Sequence, residues 1–143
     1  MLRFAEWNVT QMQAIMKAIE LDVSTLIEGL RSTDPEIFQQ AFGLLLRDID
    51  TIKSKIYQAA VREENARAKG ALVELLGESR DPKYMPFIAD QLHSSDPEVI
   101  FWAYVALQTI GTAESLALAN NVSIKDIAEN VRRRKAANDK RKK

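Results

Sequence analysis

"IADQLHSSDPEV", residues 88–99, is matched by "LIEGLRSTDPEI", residues 26–37. Leu30 falls on Leu92, Ser32 on Ser94, and Asp34-Pro35-Glu36 on Asp96-Pro97-Glu98. The offset is 62 residues, which is two structural units of about 31 residues each. In both stretches one helix closes at Leu and the next opens at Asp-Pro-Glu. Asp suits the N-cap, and Pro suits the first helical position, where its missing N–H has no partner to lose. Glu suits the positive end of the helix dipole. A helix–link–helix unit recurring at a fixed interval predicts stacked hairpins, each leaving an apolar face for its neighbour to cover.

The remaining sequence carries helical spacing and no strand alternation. Asn8 or Thr10 caps a first helix with Met12, Ile15, Met16 and Ile19 on its apolar face, and a short helix follows over 24–31 with Leu26, Ile27 and Leu30. Residues 51–62 and 64–76 read as two helices or one bent helix. The later part buries Ala68, Ala71, Leu72, Leu75 and Leu76, and Gly77 is its expected stop. Asp81-Pro82 opens a helix to Leu92, and Asp96-Pro97 opens another to Gly111. Helices over 113–120 and 124–138 complete the set, the second capped by Ser123 with Asp126 three residues on.

The stretch "LLGESRDPKYMPFIADQLHSSDPEVIFWAYVALQTIG" resembles HEAT-like repeats of the short bacterial type found in phycobilin lyases. A Gly ends one helix, Asp-Pro begins the next, and a Pro lies midway along that helix. Leu closes it, and Asp-Pro-Glu-Val starts its partner. The likeness extends over 76–119 and 26–50, is weak over 51–75, and is absent from 1–20 and 120–143. It implies an all-α, right-handed α-solenoid of about four antiparallel helix hairpins, HEAT-like or armadillo-like. It does not carry the lyase function, because these motifs specify a fold and not a reaction. The expected division is a repeat domain over 1–131 and a basic tail over 132–143.

The helix at 97–110 is apolar almost all the way round. The resemblance places Val99, Ala103, Ala106, Leu107 and Ile110 toward the core. Ile100, Phe101 and Val105 then fall where such repeats carry solvated residues. Phe101, Val105 and Gln108 share one stripe, with Tyr104 beside it. Phe38 occupies the position of Ile100 one offset earlier. Phe38, Ile100, Phe101, Tyr104, Val105 and Gln108 are therefore the candidate partner-binding residues. The competing reading covers the stripe from within, by Trp7 or by a helix carrying Ile124 and Ile127.

Composition narrows the function. Twenty Lys/Arg balance twenty Asp/Glu, but unevenly. Residues 132–143 hold eight Lys/Arg and one Asp, a net +7, and the rest holds twelve basic and nineteen acidic residues, a net −7. Arg132, Arg133, Arg134 and Lys135 are candidate nucleic-acid contacts; as a helix end the same run would simply suit the dipole. Glu36, Glu64 and Glu98, at the starts of the second helices, form a candidate acidic ridge that would steer a basic partner. There is no Cys and one His, His93, which reads as a capping or surface residue. Asp48, Asp50, Glu63 and Glu64 read as link residues, not acid/base pairs, and "KGALVELLG" is not a phosphate loop. No catalytic residue, metal or cofactor is expected. No run approaches a membrane span, and a cytoplasmic location is the default. The expected function is non-catalytic binding of a protein partner by a helical scaffold, with a homodimer as one form of it. The alternatives are a toxin-immunity protein with an acidic occluding surface, or a nucleic-acid-associated protein acting through the tail.

Overall fold

The computed structural model describes residues 9–120 and, beyond them, residues 129, 132 and 133. Among these, the α-helices are α1 (Val9–Gly29), α2 (Pro35–Arg47), α3 (Ile49–Arg62), α4 (Ala66–Ser79), α5 (Met85–Asp90), α6 (Pro97–Ile110) and α7 (Ala113–Ala119). Single 3-10 turns, Pro82–Tyr84 and Gln91–His93, extend α5 at both ends. No strand occurs among the described residues.

The helices pair as hairpins: α1 with α2, α3 with α4, and the 82–93 segment with α6. First arms adjoin first arms, α1 beside α3 and α5 beside α7. Tyr57 of α3 meets the Tyr84 ring at 5.3 Å and the Phe87 ring edge-on at 5.2 Å. Second arms adjoin second arms, α2 beside α4 and α4 beside α6. This arrangement is an all-α solenoid. The second arms begin at Pro35, Ala66 and Pro97, two steps of 31 residues.

The links show why the step is regular. Asp34 Oδ1 accepts the Glu36 N–H at 2.9 Å, and Asp96 Oδ1 accepts the Glu98 N–H at 3.0 Å. Ser32 Oγ accepts the Asp34 N–H and Ser94 Oγ the Asp96 N–H, both at 3.1 Å. The middle link uses other residues for the same purpose. Asn65 Oδ1 accepts the Ala68 N–H at 3.0 Å, and Glu63 Oε2 accepts the Asn65 N–H at 3.4 Å. Glu63 is buried and also holds Arg31 of the preceding link at 2.9 Å, so it ties two hairpins together. Ser79-Arg80-Asp81-Pro82 repeats the motif between hairpins, with Asp81 Oδ1 accepting the Lys83 N–H at 3.0 Å.

Several expectations need correction. The two helices expected before residue 31 are one, since no Pro or Gly interrupts the chain until Gly29 and Val23, Ile27 and Leu30 continue a single buried stripe. Thr10 lies inside it, as its second described residue. Asn8, Trp7, the side chains at 12, 15, 16 and 19, and the helix expected over 124–138, with its Ser123 cap, Asp126, Ile124 and Ile127, lie outside the described residues, apart from helical 129, 132 and 133. The helix from Asp81-Pro82 is broken into 3-10, α and 3-10 turns; at its start Pro86 has no N–H for the Pro82 carbonyl, which takes the Met85 N–H instead in a 3-10 turn. Gly77 does not stop α4. The helix runs on to Ser79 and ends at Arg80, which adopts the left-handed conformation at φ 54°.

Gly77 serves packing instead. A Cβ there would lie 2.7 Å from both Cα and Cβ of Ala106, so α4 and α6 touch at backbone distance. At Gly43, inside α2, a Cβ would meet nothing within 4 Å. Both sites gain about 1 kcal/mol of helix propensity on substitution by Ala. Gly43→Ala should therefore raise the urea midpoint. Gly77→Ala should lower it, the loss of stability being roughly 1–3 kcal/mol of overpacking strain less that gain.

Candidate functional site

The central helix α4 is buried along most of its length, at Ala68 and continuously over residues 70–77. One flank, with Leu72, Leu75 and Leu76, faces the core. Another, with Gly70 and Gly77, faces α6, where Trp102 lies flat enough on the backbone that a Cβ on Gly70 would fall 2.5 Å from its Cδ1. The third carries Arg67, Ala71, Glu74 and Glu78, spaced at i, i+4, i+7 and i+11.

That third flank floors a groove of about 230 Å³ walled by Phe38 and Phe42 of α2 on one side and Trp102 of α6 on the other. Phe38 and Phe42 stack at 6.3 Å, and the Arg67 guanidinium sits 5.9 Å from the Phe38 centroid. Glu74 is 6% exposed. Its Oε1 receives the Thr109 hydroxyl at 3.5 Å, a long contact, since that hydroxyl also reaches the Val105 carbonyl at 3.0 Å. Its Oε2 is buried with no hydrogen-bond partner. Burial raises the Glu74 carboxyl to about 8; the neighbouring Glu78 carboxylate adds to the rise, and the Thr109 hydroxyl opposes it. A larger hollow of about 410 Å³ lies between α1, α2 and α3, but its Arg47 and Asp48 are paired with each other at 3.2 Å. Of the two, the smaller groove is the one lined by a residue with a buried polar atom that lacks a partner.

The structure divides the six candidate partner-binding residues. Val99, Ala103, Ala106, Leu107 and Ile110 are buried, at the positions expected to face the core. Phe101 is 41% exposed and Gln108 is exposed, with Val105 half-buried between them on the outer side of α6. Phe101 also meets Trp102 edge-on at 5.2 Å, so it borders the groove. Ile100 and Tyr104 are half-buried on the flank away from α4, and the Tyr104 hydroxyl accepts the Gln108 side-chain N–H at 3.2 Å. They correspond, 62 residues on, to Phe38 and Phe42 of the groove wall. Phe38 alone of the six lines the groove.

The acidic ridge is not regular. Glu36 and Glu98 stand in first helical turns, but the equivalent residue of the middle hairpin is Arg67, and Glu64 lies in the link. His93 is exposed at the end of its 3-10 turn. Arg132 and Arg133 are exposed, and Arg133 is bonded to Glu129 at 2.9 Å; Arg134 and Lys135 lie outside the described residues. Among the described residues no group of three His, Cys, Asp or Glu side chains is placed to hold a metal, and no helix is long and apolar enough to cross a membrane.

Sequence reasoning missed Phe42, Ala71, Glu74, Glu78 and Trp102. One signal was present: Glu74 is the only charged residue between Gly70 and Gly77, a stretch otherwise wholly apolar. The family model described as HEAT repeats matches residues 54–138, more than half of the chain. No curated protein and no solved structure matches it.

The raised carboxyl makes stability depend on pH. Below the unfolded value of 4.5 Glu74 is protonated in both states; between there and about 8 only the folded state holds the proton. Its contribution to stability is therefore full in acid and is lost as pH rises to about 8. Glu74→Gln keeps the shape without the titration. The fall in urea midpoint between pH 5 and pH 8 (about the span of this linkage) should be smaller in the variant than in the parent chain.

Proposed function

We propose that this chain, which belongs to the HEAT repeat family, is a non-catalytic scaffold or adaptor that binds a protein partner through the surface of its second arms. The observation that carries this reading is Phe101. It is a large apolar ring, 41% exposed, edge-on to Trp102 at the rim of an aromatic-walled groove. Contiguous apolar surface of this kind marks interaction sites more often than it marks ordinary monomer surface. Aromatic side chains also concentrate interface energy at few positions.

Phe101→Asp tests the surface without disturbing the core, because the new charge can reach water. Its cost to folding should stay below about 1.5 kcal/mol, the size of the lost aromatic pair. Val61→Asp, at a half-exposed position on α3, is the control on the first-arm side. In pull-downs from the source cell, the parent chain and the Val61 variant should retain the same partner in stoichiometric amount, and the Phe101 variant should lose it. Sedimentation of the purified chain shows whether that partner is a second copy. Equal retention by all three, or by none, would overturn the reading.

A further inference from the structure

We propose, resting on the scaffold reading above, that the groove between Phe38, Phe42 and Trp102 receives one arginine or lysine side chain from a segment of the protein partner, its cationic head against Glu74 and Glu78. The floor supplies what such a side chain requires. Glu74 is nine-tenths buried and lines the groove, yet its Oε2 has no hydrogen-bond partner. A buried polar atom without a partner is costly, and a donor brought in by a ligand removes that cost. Glu78 adds a second carboxylate to the same lining.

The walls suit the rest of the side chain. Phe38, Phe42, Trp102 and Ala71 offer apolar surface to a methylene stem, and aromatic faces attract the cation itself. The chain already shows this chemistry in the Arg67 guanidinium over the Phe38 ring. Size points the same way. The groove measures about 230 Å³, below the roughly 300–1,000 Å³ of small-molecule and cofactor pockets. It fits a single side chain delivered by a larger body, and Phe101 at the rim offers that body an apolar contact. Charge agrees too: outside residues 132–143 the chain has a net −7, which favours encounter with a basic segment.

Binding should be linked to protons. The charged or polar groups around Glu74 are Glu78 on its own helix and Thr109 from α6. From α2 the groove receives only Phe38 and Phe42, the first of them beneath Arg67. A cation at Oε2 favours the ionised carboxylate, so a proton held by Glu74 is released on binding and affinity rises with pH up to about 8.

The experiment is calorimetric titration of the full chain with Ac-Gly-Leu-Arg-Leu-Gly-amide and with its citrulline counterpart, in two buffers of different ionisation heat. The arginine peptide should bind more tightly than the citrulline peptide, tighten as pH rises to 8, and release protons at pH 7. Glu74→Gln should weaken it by about tenfold or more at pH 8, as expected for losing a charged hydrogen bond, and abolish the proton release. Equal binding of the two peptides, or no binding of either at millimolar concentration, overturns the proposal. So does a rise in peptide affinity when Lys140, Arg141, Lys142 and Lys143 are changed to Gln in the full chain, since the groove's occupant would then be the chain's own tail. Retention of the cellular partner by Glu74→Gln alongside its loss by Phe101→Asp would leave the scaffold reading standing and remove the groove from it.

Discussion

The contact between α4 and α6 at Gly77 and Ala106 sets the spacing of the second arms. Two helices approach this closely only where one has no side chain in the way, and a Cβ on Gly77 would fall 2.7 Å from the Ala106 backbone. One turn pair earlier, Gly70 lets the Trp102 ring lie on the same helix. The two glycines, seven residues apart on one flank, bring a large indole and a small alanine onto α4 together. The consequence reaches past packing. Trp102 held against α4 becomes a wall of the groove, and Thr109, one turn from Ala106, is brought within 3.5 Å of Glu74. A wider approach would open the groove to water and return Glu74 to ordinary solvation.

The links add a second constraint. Ser32, Ser94 and Ser79 each accept the N–H two residues on, and the Asp at that position accepts the N–H of the next helix's second residue. These bonds satisfy donors that a helix start leaves orphaned. They also fix the direction in which α2, α4, the 82–93 segment and α6 leave their predecessors, whereas α3 follows α2 at Asp48 with no side-chain capping bond. The middle link shows that this pattern is a matter of acceptors and not of residue names. Glu63, longer than Ser, reaches the same N–H and still spares an oxygen for Arg31 in the neighbouring link. Arg31 is half exposed while Glu63 is buried, so the pair acts less as a surface ion pair than as a cap drawn inward.

That substitution explains what was legible in the sequence and what was not. The Asp-Pro-Glu starts at 34–36 and 96–98 were readable because they use standard capping residues, and they yielded the interval of 62. The start at Asn65-Ala66 was not, because Glu63 and Asn65 do by geometry what Ser and Asp do by motif, leaving the break between α3 and α4 ambiguous. The core face of α6 followed from periodicity at Val99, Ala103, Ala106, Leu107 and Ile110. Gly77 misled, since a glycine at a helix end and a glycine at a helix crossing look alike until the crossing partner is known. The groove was hidden for a related reason: Phe38, Glu74 and Trp102 come from three helices, and only the second-arm stacking brings them together.

Glu74 itself runs against the rule that governs its surroundings. It sits in the most buried helix, among residues chosen for packing, with one oxygen unanswered and a like charge nearby. At neutral pH it holds a proton that a free glutamate would have given up, so the fold is less stable there than it is in acid by part of that linkage. A leucine or glutamine would avoid the cost. Sites where a sequence departs from local consistency without a structural gain are where function is to be sought, because stability is tolerated below its optimum when binding requires it. Here the departure lies at the floor of an aromatic groove on the surface most suited to a partner. The structural demands of the solenoid account for Gly70, Gly77 and Trp102, but they leave a carboxylate at position 74 without a role inside the chain.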